Sequence, residues 1–168
     1  KRYKPDEGFR NIFNQSLPIY SKSNEVTNSF ETIKYNKFSD VVTRVSFYGA
    51  TINSLTGDDV RVSKRLFIPG SKLRGFENGK VGPKEKKNYV GGNYISSLNF
   101  SATLPKLLAS FQNTDVSFFL DAANLWGVDY DTKLDDRSTI RSATGLAVDI
   151  FTPIGPLNFS YSFPITKS

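Results

Sequence analysis

Strict alternation of apolar and polar side chains is the feature of this sequence that most constrains its fold. From 97 to 104 the even positions are apolar and the odd positions are all Ser, Asn or Thr. Comparable alternation covers 116–123, 141–151 and 157–163. Successive side chains of a β-strand point to opposite faces, so the pattern predicts strands whose two faces meet different environments.

Weaker alternation upstream brings the expected number of strands to about seven, at 9–19, 30–38 and 41–52 in addition to the four above. We predict a turn over 1–8 and a loop over 21–28. Very short links at 39–40 and 153–156 contrast with long ones at 21–28, 57–90 and 127–138, and the link at 105–114 is intermediate. Short turns on one rim and long loops on the other are typical of an outer-membrane β-barrel.

Two architectures fit such strands: a soluble sandwich or barrel with an apolar interior, and a membrane barrel with an apolar exterior. The outward face of a soluble protein usually carries many Lys and Glu residues. Here the polar face carries Ser, Thr, Asn, Ala and Gly, with isolated charges at Asp121, Arg141 and Asp149. This favours an all-β, antiparallel, up-and-down transmembrane barrel portion, and a soluble β-sandwich binding module stays as the alternative.

Composition excludes several kinds of chemistry. The 168 residues suffice for one domain, and they contain no Cys, His or Met, which removes thiol, imidazole and most transition-metal chemistry. We expect no enzyme, because the acid pairs 58–59 and 135–136 lie in loops, where they bind calcium weakly at most. The net charge is +6, but the lysines are scattered apart from Lys84, Lys86 and Lys87, which indicates solvated loop charges and no nucleic-acid partner.

The stretch 66–92 is too long and too rich in glycine for a hairpin turn. Loops of this length are usually functional or disordered. It contains Arg74, whose charge needs a partner, and Asp121 is the candidate on the strand face shared with Ser117 and Phe119.

The loop and the strands after it resemble a known family. Seven segments are similar to the outer-membrane barrel-assembly superfamily typified by BamA, also called the bacterial surface antigen family. They are the loop segments 67–70, 73–76, 81–83 and 90–93, the strand segment 117–121, the hairpin at 152–161 and the opening 3–8. The resemblance covers essentially the whole chain in order. Three positions depart from the family pattern: Pro69 replaces a glycine, Ala123 stands where glycine is expected, and Asn99 takes a position that is often acidic.

The resemblance implies strands nine to fifteen of a sixteen-stranded barrel, as a C-terminal fragment without the periplasmic repeat domains, first eight strands or last strand. Both outer strands would then be unpaired edges. It also implies the bacterial outer membrane as location, unfolded β-barrel proteins as clients, and assembly-machine lipoproteins and membrane lipid as partners. Members of this family fold and insert β-barrel proteins, and the resemblance implies that no cofactor is involved.

The same resemblance implies the site residues. The loop would fold into the lumen, with Leu73, Arg74, Gly75 and Phe76 as its motif and Phe119 and Asp121 as the wall. Arg74 would pair with Asp121, Phe76 would pack over Phe119, and Gly75 would allow close approach. Supporting positions in the loop are Gly70, Gly82, Pro83, Gly91 and Gly92.

Alternatives within the superfamily are autotransporter assembly, two-partner secretion export, and a mitochondrial or plastid relative. Two-partner secretion members usually have Tyr where Phe76 stands, which disfavours that branch.

Overall fold

The computed structural model describes residues 5–19, 24–104 and 113–166. Seven strands form one antiparallel sheet: β1 Gly8–Ser16, β2 Glu25–Phe38, β3 Val41–Ser54, β6 Tyr94–Leu104, β7 Thr114–Trp126, β8 Arg141–Thr152 and β9 Gly155–Pro164. A separate hairpin within the long loop consists of β4 Lys84–Glu85 and β5 Asn88–Tyr89. Short 3₁₀ turns lie at Val62–Lys64 and Thr132–Leu134, and no helix among the described residues is long and apolar enough to span a membrane.

Each sheet strand pairs with the next one along the chain, in the order β1-β2-β3-β6-β7-β8-β9. This confirms the predicted antiparallel, up-and-down arrangement and the estimate of about seven strands. In the described part of the chain β1 and β9 are the outer strands of the sheet. Both carry exposed aromatic side chains, among them Phe9, Phe13, Phe159 and Tyr161.

The two faces of the sheet have the reverse of the usual soluble pattern. One face, here called the inner face, is covered by the long loop and buries polar side chains such as Ser46, Asn99 and Asp121. The other, outer face exposes large apolar side chains, including Phe47, Leu98, Phe118, Leu120, Leu146 and Phe163. An apolar exterior around a polar interior is the membrane-barrel pattern.

Strand β2 departs from the prediction in extent. It begins at Glu25 and pairs with β3 from Glu25↔Ser54 onwards, so the loop predicted over 21–28 is wrong for its last four residues. Its inner face carries Glu31 together with buried Ile33, while Lys34 is exposed. Residues 25–29 show no alternation of apolar and polar side chains. Pairing with β3 extends the strand over them, although no sequence pattern predicts it.

The other strand ends move by a few residues. Strand β1 ends at Ser16 rather than at 19, and β6 begins at Tyr94 rather than at 97. Tight turns occur at 39–40 and 153–154, on the opposite rim from the connection at 55–93. Most of the predicted link at 105–114 and residues 1–4 of the predicted opening turn lie outside the described residues.

The long connection between β3 and β6 supplies much of the apolar core. Ile68, Leu73 and Val81 from this loop pack against inner-face residues Ala50, Ile95, Ala123 and Leu125, with Phe76 beside them. The loop therefore covers the inner face of the sheet instead of extending into solvent.

Candidate functional site

The base of the long loop is closed by its own backbone. Leu66 and Gly92 exchange N–H···O=C hydrogen bonds of 2.9 and 3.0 Å, which join the two ends of the stretch predicted at 66–92. A side chain at Gly92 would place its Cβ 2.5 Å from the carbonyl oxygen of Trp126, so only glycine allows this approach. The loop is thus a closed unit that leaves the rim and returns to it at one point.

Arg74 and Asp121 form a bidentate pair at the centre of the inner face. Arg74 Nε donates to Asp121 Oδ2 at 2.7 Å, and Nη2 donates to Oδ1 at 2.8 Å. The backbone N–H of Arg74 also donates to Oδ2, at 3.1 Å. The Asp121 side chain is fully buried and that of Arg74 is 25% exposed, so most of this charge-assisted geometry lies away from bulk water.

Asn99 completes the set of donors around this carboxylate. Its Nδ2 donates to Asp121 Oδ1 at 2.9 Å and to the carbonyl of Lys72 at 2.8 Å. An amide can make both bonds, whereas an acidic residue at 99 would face Asp121 with a second negative charge. The departure from the family pattern at Asn99 therefore fits the local charge balance.

The ring of Phe119 lies under the guanidinium of Arg74 rather than under Phe76. Arg74 Cζ is 3.6 Å from the ring centroid, a cation–π contact that also shields the ion pair. Phe76 packs instead on the cluster formed by Ile68, Leu73 and Val81. The prediction that Phe76 packs over Phe119 is therefore wrong, because the arginine already covers that ring.

Gly75 lies against strands β8 and β9, at the end of the sheet away from β1. Its φ is +87°, and an added Cβ would lie 3.1 Å from Cβ and Oγ of Ser162 and 3.4 Å from Cβ of Ala143. Of the predicted supports, Gly70 lies beside Asn78, Gly82 beside Leu125, and Gly91 beside Leu66, while Pro83 is fully buried. These positions line the path of the loop without touching the ion pair.

A second arginine, which sequence reasoning missed, anchors the base of the loop. The Arg65 side chain is fully buried and pairs with Asp129, in the connection between β7 and β8. It also donates to the carbonyls of Val60 at 3.0 Å and Gly127 at 3.3 Å, and its guanidinium lies 4.9 Å from the ring centroid of Tyr130. This contact joins two loops of the same rim.

The electrostatics of Asp129 match this role. Burial would raise the pKa of Asp129, but hydrogen bonds from the Val60 N–H at 2.8 Å, from Asn93 Nδ2 at 3.0 Å and from Arg65 outweigh it. The pKa of this carboxyl is consequently held below its usual range. Neither residue stands in a repeated pattern, so the sequence offers no local signal for the pair.

The space left between the loop and the lower part of the inner face is a cavity of about 590 Å³, lined by Arg44, Arg74, Asp115 and Asp149 among others. Across the described ranges, no group of three or more acidic side chains could hold a metal ion. The arrangement suits fastening of the loop to the inner face of the sheet.

Comparison with known proteins decides the family. The Omp85 superfamily domain matches residues 1–168, the whole chain. The chain belongs to the Omp85 superfamily. Over 56% of this chain, it is 31% identical to the outer membrane protein assembly factor BamA of Neisseria meningitidis serogroup B. Over 82% of this chain, it is 25% identical to a SAM50-like protein of Schizosaccharomyces pombe.

A solved structure matches the fold over all of the chain. The crystal structure of BamA from Haemophilus ducreyi lacking POTRA domains 1–3 aligns with a TM-score of 0.80 and 26% identity. This Omp85 chain spans 37% of that structure, 15% of the meningococcal protein and 30% of the yeast one. Its family, its meningococcal relative and its apolar outer face place it in the bacterial outer membrane.

Proposed function

We propose that this chain forms part of the barrel of a protein that folds and inserts β-barrel proteins into the outer membrane. The observation that carries the proposal is its alignment, over the full length of the chain, with a solved BamA. The meningococcal relative is named as an assembly factor. In this proposal the seven sheet strands correspond to strands nine to fifteen of a sixteen-stranded barrel, and unfolded β-barrel proteins, assembly-machine lipoproteins and membrane lipid are the partners.

The long loop is the proposed functional element. Arg74, held by Asp121 and Asn99 and stacked on Phe119, keeps the loop inside the lumen. Leu73 and Phe76 pack beside it in the apolar cluster. No step of this activity needs a nucleotide, a redox group or a nucleophile: the work is done by a defined internal surface and by the membrane-facing outer wall.

The test is complementation of the full-length protein in the source bacterium. The chromosomal copy is depleted, and wild type, Arg74→Ala, Asp121→Ala and the double variant are supplied in turn. We expect depletion to lower the amount of heat-modifiable β-barrel proteins in the outer membrane generally. Each single variant should restore them only partly, because either change releases the loop, and the double variant should be no worse than the single ones.

Lys80→Ala is the matched control, because Lys80 belongs to the same loop but forms an exposed ion pair with Glu77. Additive effects of the two single substitutions would contradict the Arg74–Asp121 role. If depletion removed only autotransporters or one exported protein, and spared other barrels, the autotransporter-assembly or two-partner secretion branch would replace the proposed function.

A further inference from the structure

Lys72, two residues before Arg74, makes a contact of its own on the inner face, toward the end of the sheet formed by β1 and β2. Its ammonium pairs with Glu31 Oε1 on β2 and lies 5.0 Å from the ring centroid of Tyr48 on β3. The two charged side chains are only 12% and 16% exposed. This places a largely enclosed ion pair on the strand next to the sheet edge.

Glu31 is surrounded by donors in addition to the lysine. Ser46 Oγ donates to Glu31 Oε1 at 3.1 Å, and Arg44 Nη2 lies 3.5 Å from the same oxygen. A carboxylate with three donors around one oxygen is a formed acceptor site, not a chance surface contact. The loop reaches it through Lys72, while Ser46 and Arg44 come from the neighbouring strand.

The Lys72–Glu31 and Arg74–Asp121 ion pairs are connected through the backbone of the loop. Asn99 Nδ2 donates both to the carbonyl of Lys72 and to Asp121, so the segment between Lys72 and Arg74 is held at three strands of the wall. Lys72 reaches β2, Asn99 projects from β6, and Arg74 reaches β7. Strands β3 and β6 lie between the two ion pairs in the sheet order.

We propose that Lys72 and Glu31 form a second tether, so that the loop acts as a cross-brace that fixes the position of β2 relative to β7. This rests on the proposed function, since it concerns how the same loop is positioned. The Arg74 tether alone connects the loop to β7, and β1 and β2 are then held only by their pairing within the sheet. With both tethers in place, movement of the β1 end of the sheet must also break the Lys72–Glu31 pair.

The test is amide hydrogen exchange, followed by mass spectrometry, on the folded full-length protein in detergent. In Lys72→Met and in Glu31→Gln we expect peptides of β1 and β2 to exchange about tenfold faster, because the tether no longer opposes local opening. Peptides of β7 should keep their wild-type rates, since Arg74 still holds them. The double variant should match the single ones, and Lys72→Arg should stay near wild type.

Lys64→Met and Glu7→Gln are the matched controls, because Lys64 is an exposed lysine of the same loop and Glu7 an exposed glutamate ahead of β1. Unchanged exchange in β1 and β2, equal acceleration in β2 and β7, or additive effects in the double variant would overturn the cross-brace. This readout is independent of client assembly. Faster exchange in β1 and β2 with normal client assembly would support the cross-brace and contradict a role for it in the proposed function. Unchanged exchange with impaired assembly would overturn the cross-brace and leave the proposed function standing.

Discussion

The long loop is fastened by two arginine–aspartate pairs that differ in which partner is buried. At the centre of the inner face the aspartate is fully enclosed, and Arg74 is 25% exposed. At the base of the loop the order is reversed, since Arg65 is fully enclosed and Asp129 is 29% exposed. Two pairs of the same chemistry therefore place opposite charges out of water.

The difference matters because the two charges respond differently to the loss of a partner. A buried carboxyl group can take up a proton and become neutral, whereas a guanidinium stays charged at any accessible pH. Loss of the carboxylate from the Arg65–Asp129 pair should therefore cost more stability than loss of the carboxylate from the Arg74–Asp121 pair. The central pair should lose less stability when its aspartate is replaced, because the Arg74 side chain is 25% exposed.

Asp129→Ala should give the largest loss of stability, because it leaves Arg65 charged, buried and without its carboxylate. We expect the free energy of unfolding to fall by roughly 3 kcal/mol. Arg65→Met should cost less, since Asp129 is partly solvated and the methionine fills the space. The measurement is urea unfolding of the full-length protein in lipid vesicles.

Adding Arg65→Met to Asp129→Ala should recover part of the lost stability, because the double variant contains no buried charge. Asp59→Ala, a change at an exposed aspartate of the long loop, serves as the control. If Asp129→Ala unfolded like Asp59→Ala, or if the double variant were the least stable, the contrast between the two pairs would be broken.

Acidification should loosen the base of the loop. The pKa of Asp129 is lower in the folded protein than in the unfolded chain, so its contribution to stability is complete above the unfolded value. That contribution is lost as pH falls through the folded value, which sets the window at about pH 4 and below. We expect amide exchange over 127–140, corrected for intrinsic rates, to accelerate as the pH is lowered from about 5 to about 3.

Asp129→Asn is the control for this experiment, because an amide cannot titrate. The variant should show no comparable change over 127–140 in the same range. Equal acceleration in the variant would assign the effect to other carboxyl groups.

Gly75→Ala tests the central region with the smallest expected effect. The φ of Gly75 is +87°, and a methyl group there would also press on Ser162. Gly79 has a similar φ of +74°, and a Cβ added there would meet nothing within 4 Å, so Gly79→Ala is a matched control. Each substitution should cost about 1 kcal/mol for the backbone conformation, and Gly75→Ala about 1 kcal/mol more for the contact.

Unfolding in urea measures this difference directly. Equal costs at the two glycines would mean that the loop does not press on β9 at Gly75. A larger cost at Gly79 would reverse the assignment of the loop segment that meets the wall.

Much of the sheet could be predicted from the sequence because strand faces alternate locally. The inward position of Asp121 follows from its parity with Ser117 and Phe119, and all three are buried as that parity requires. Residues 25–29 of β2 escaped prediction because Val26 is their only apolar residue, which leaves no alternation, and they become a strand through pairing with β3. Local patterning predicts a strand only where its two faces differ.

Of the loop contacts, only the Arg74–Asp121 pair was predictable, from strand-face parity together with the family resemblance. Arg74 came with a family motif, whereas Lys72, Arg65 and Asp129 look like any charged residues of a polar loop. Their partners are determined by how the loop folds back, since Glu31 lies 41 residues from Lys72 and Asp129 lies 64 residues from Arg65. Phe76 illustrates the same limit, because its neighbours depend on where the Arg74 side chain goes.

The closed base of the loop also gives the chain an optical reporter. Trp126 is the only tryptophan of the 168 residues, and its carbonyl accepts a 2.9 Å hydrogen bond from the Asn93 N–H beside Gly92. Its indole stacks on Tyr94 with ring centroids 5.8 Å apart. The emission wavelength and quenching of this fluorophore therefore report on the surroundings of the base of the loop, without any added label.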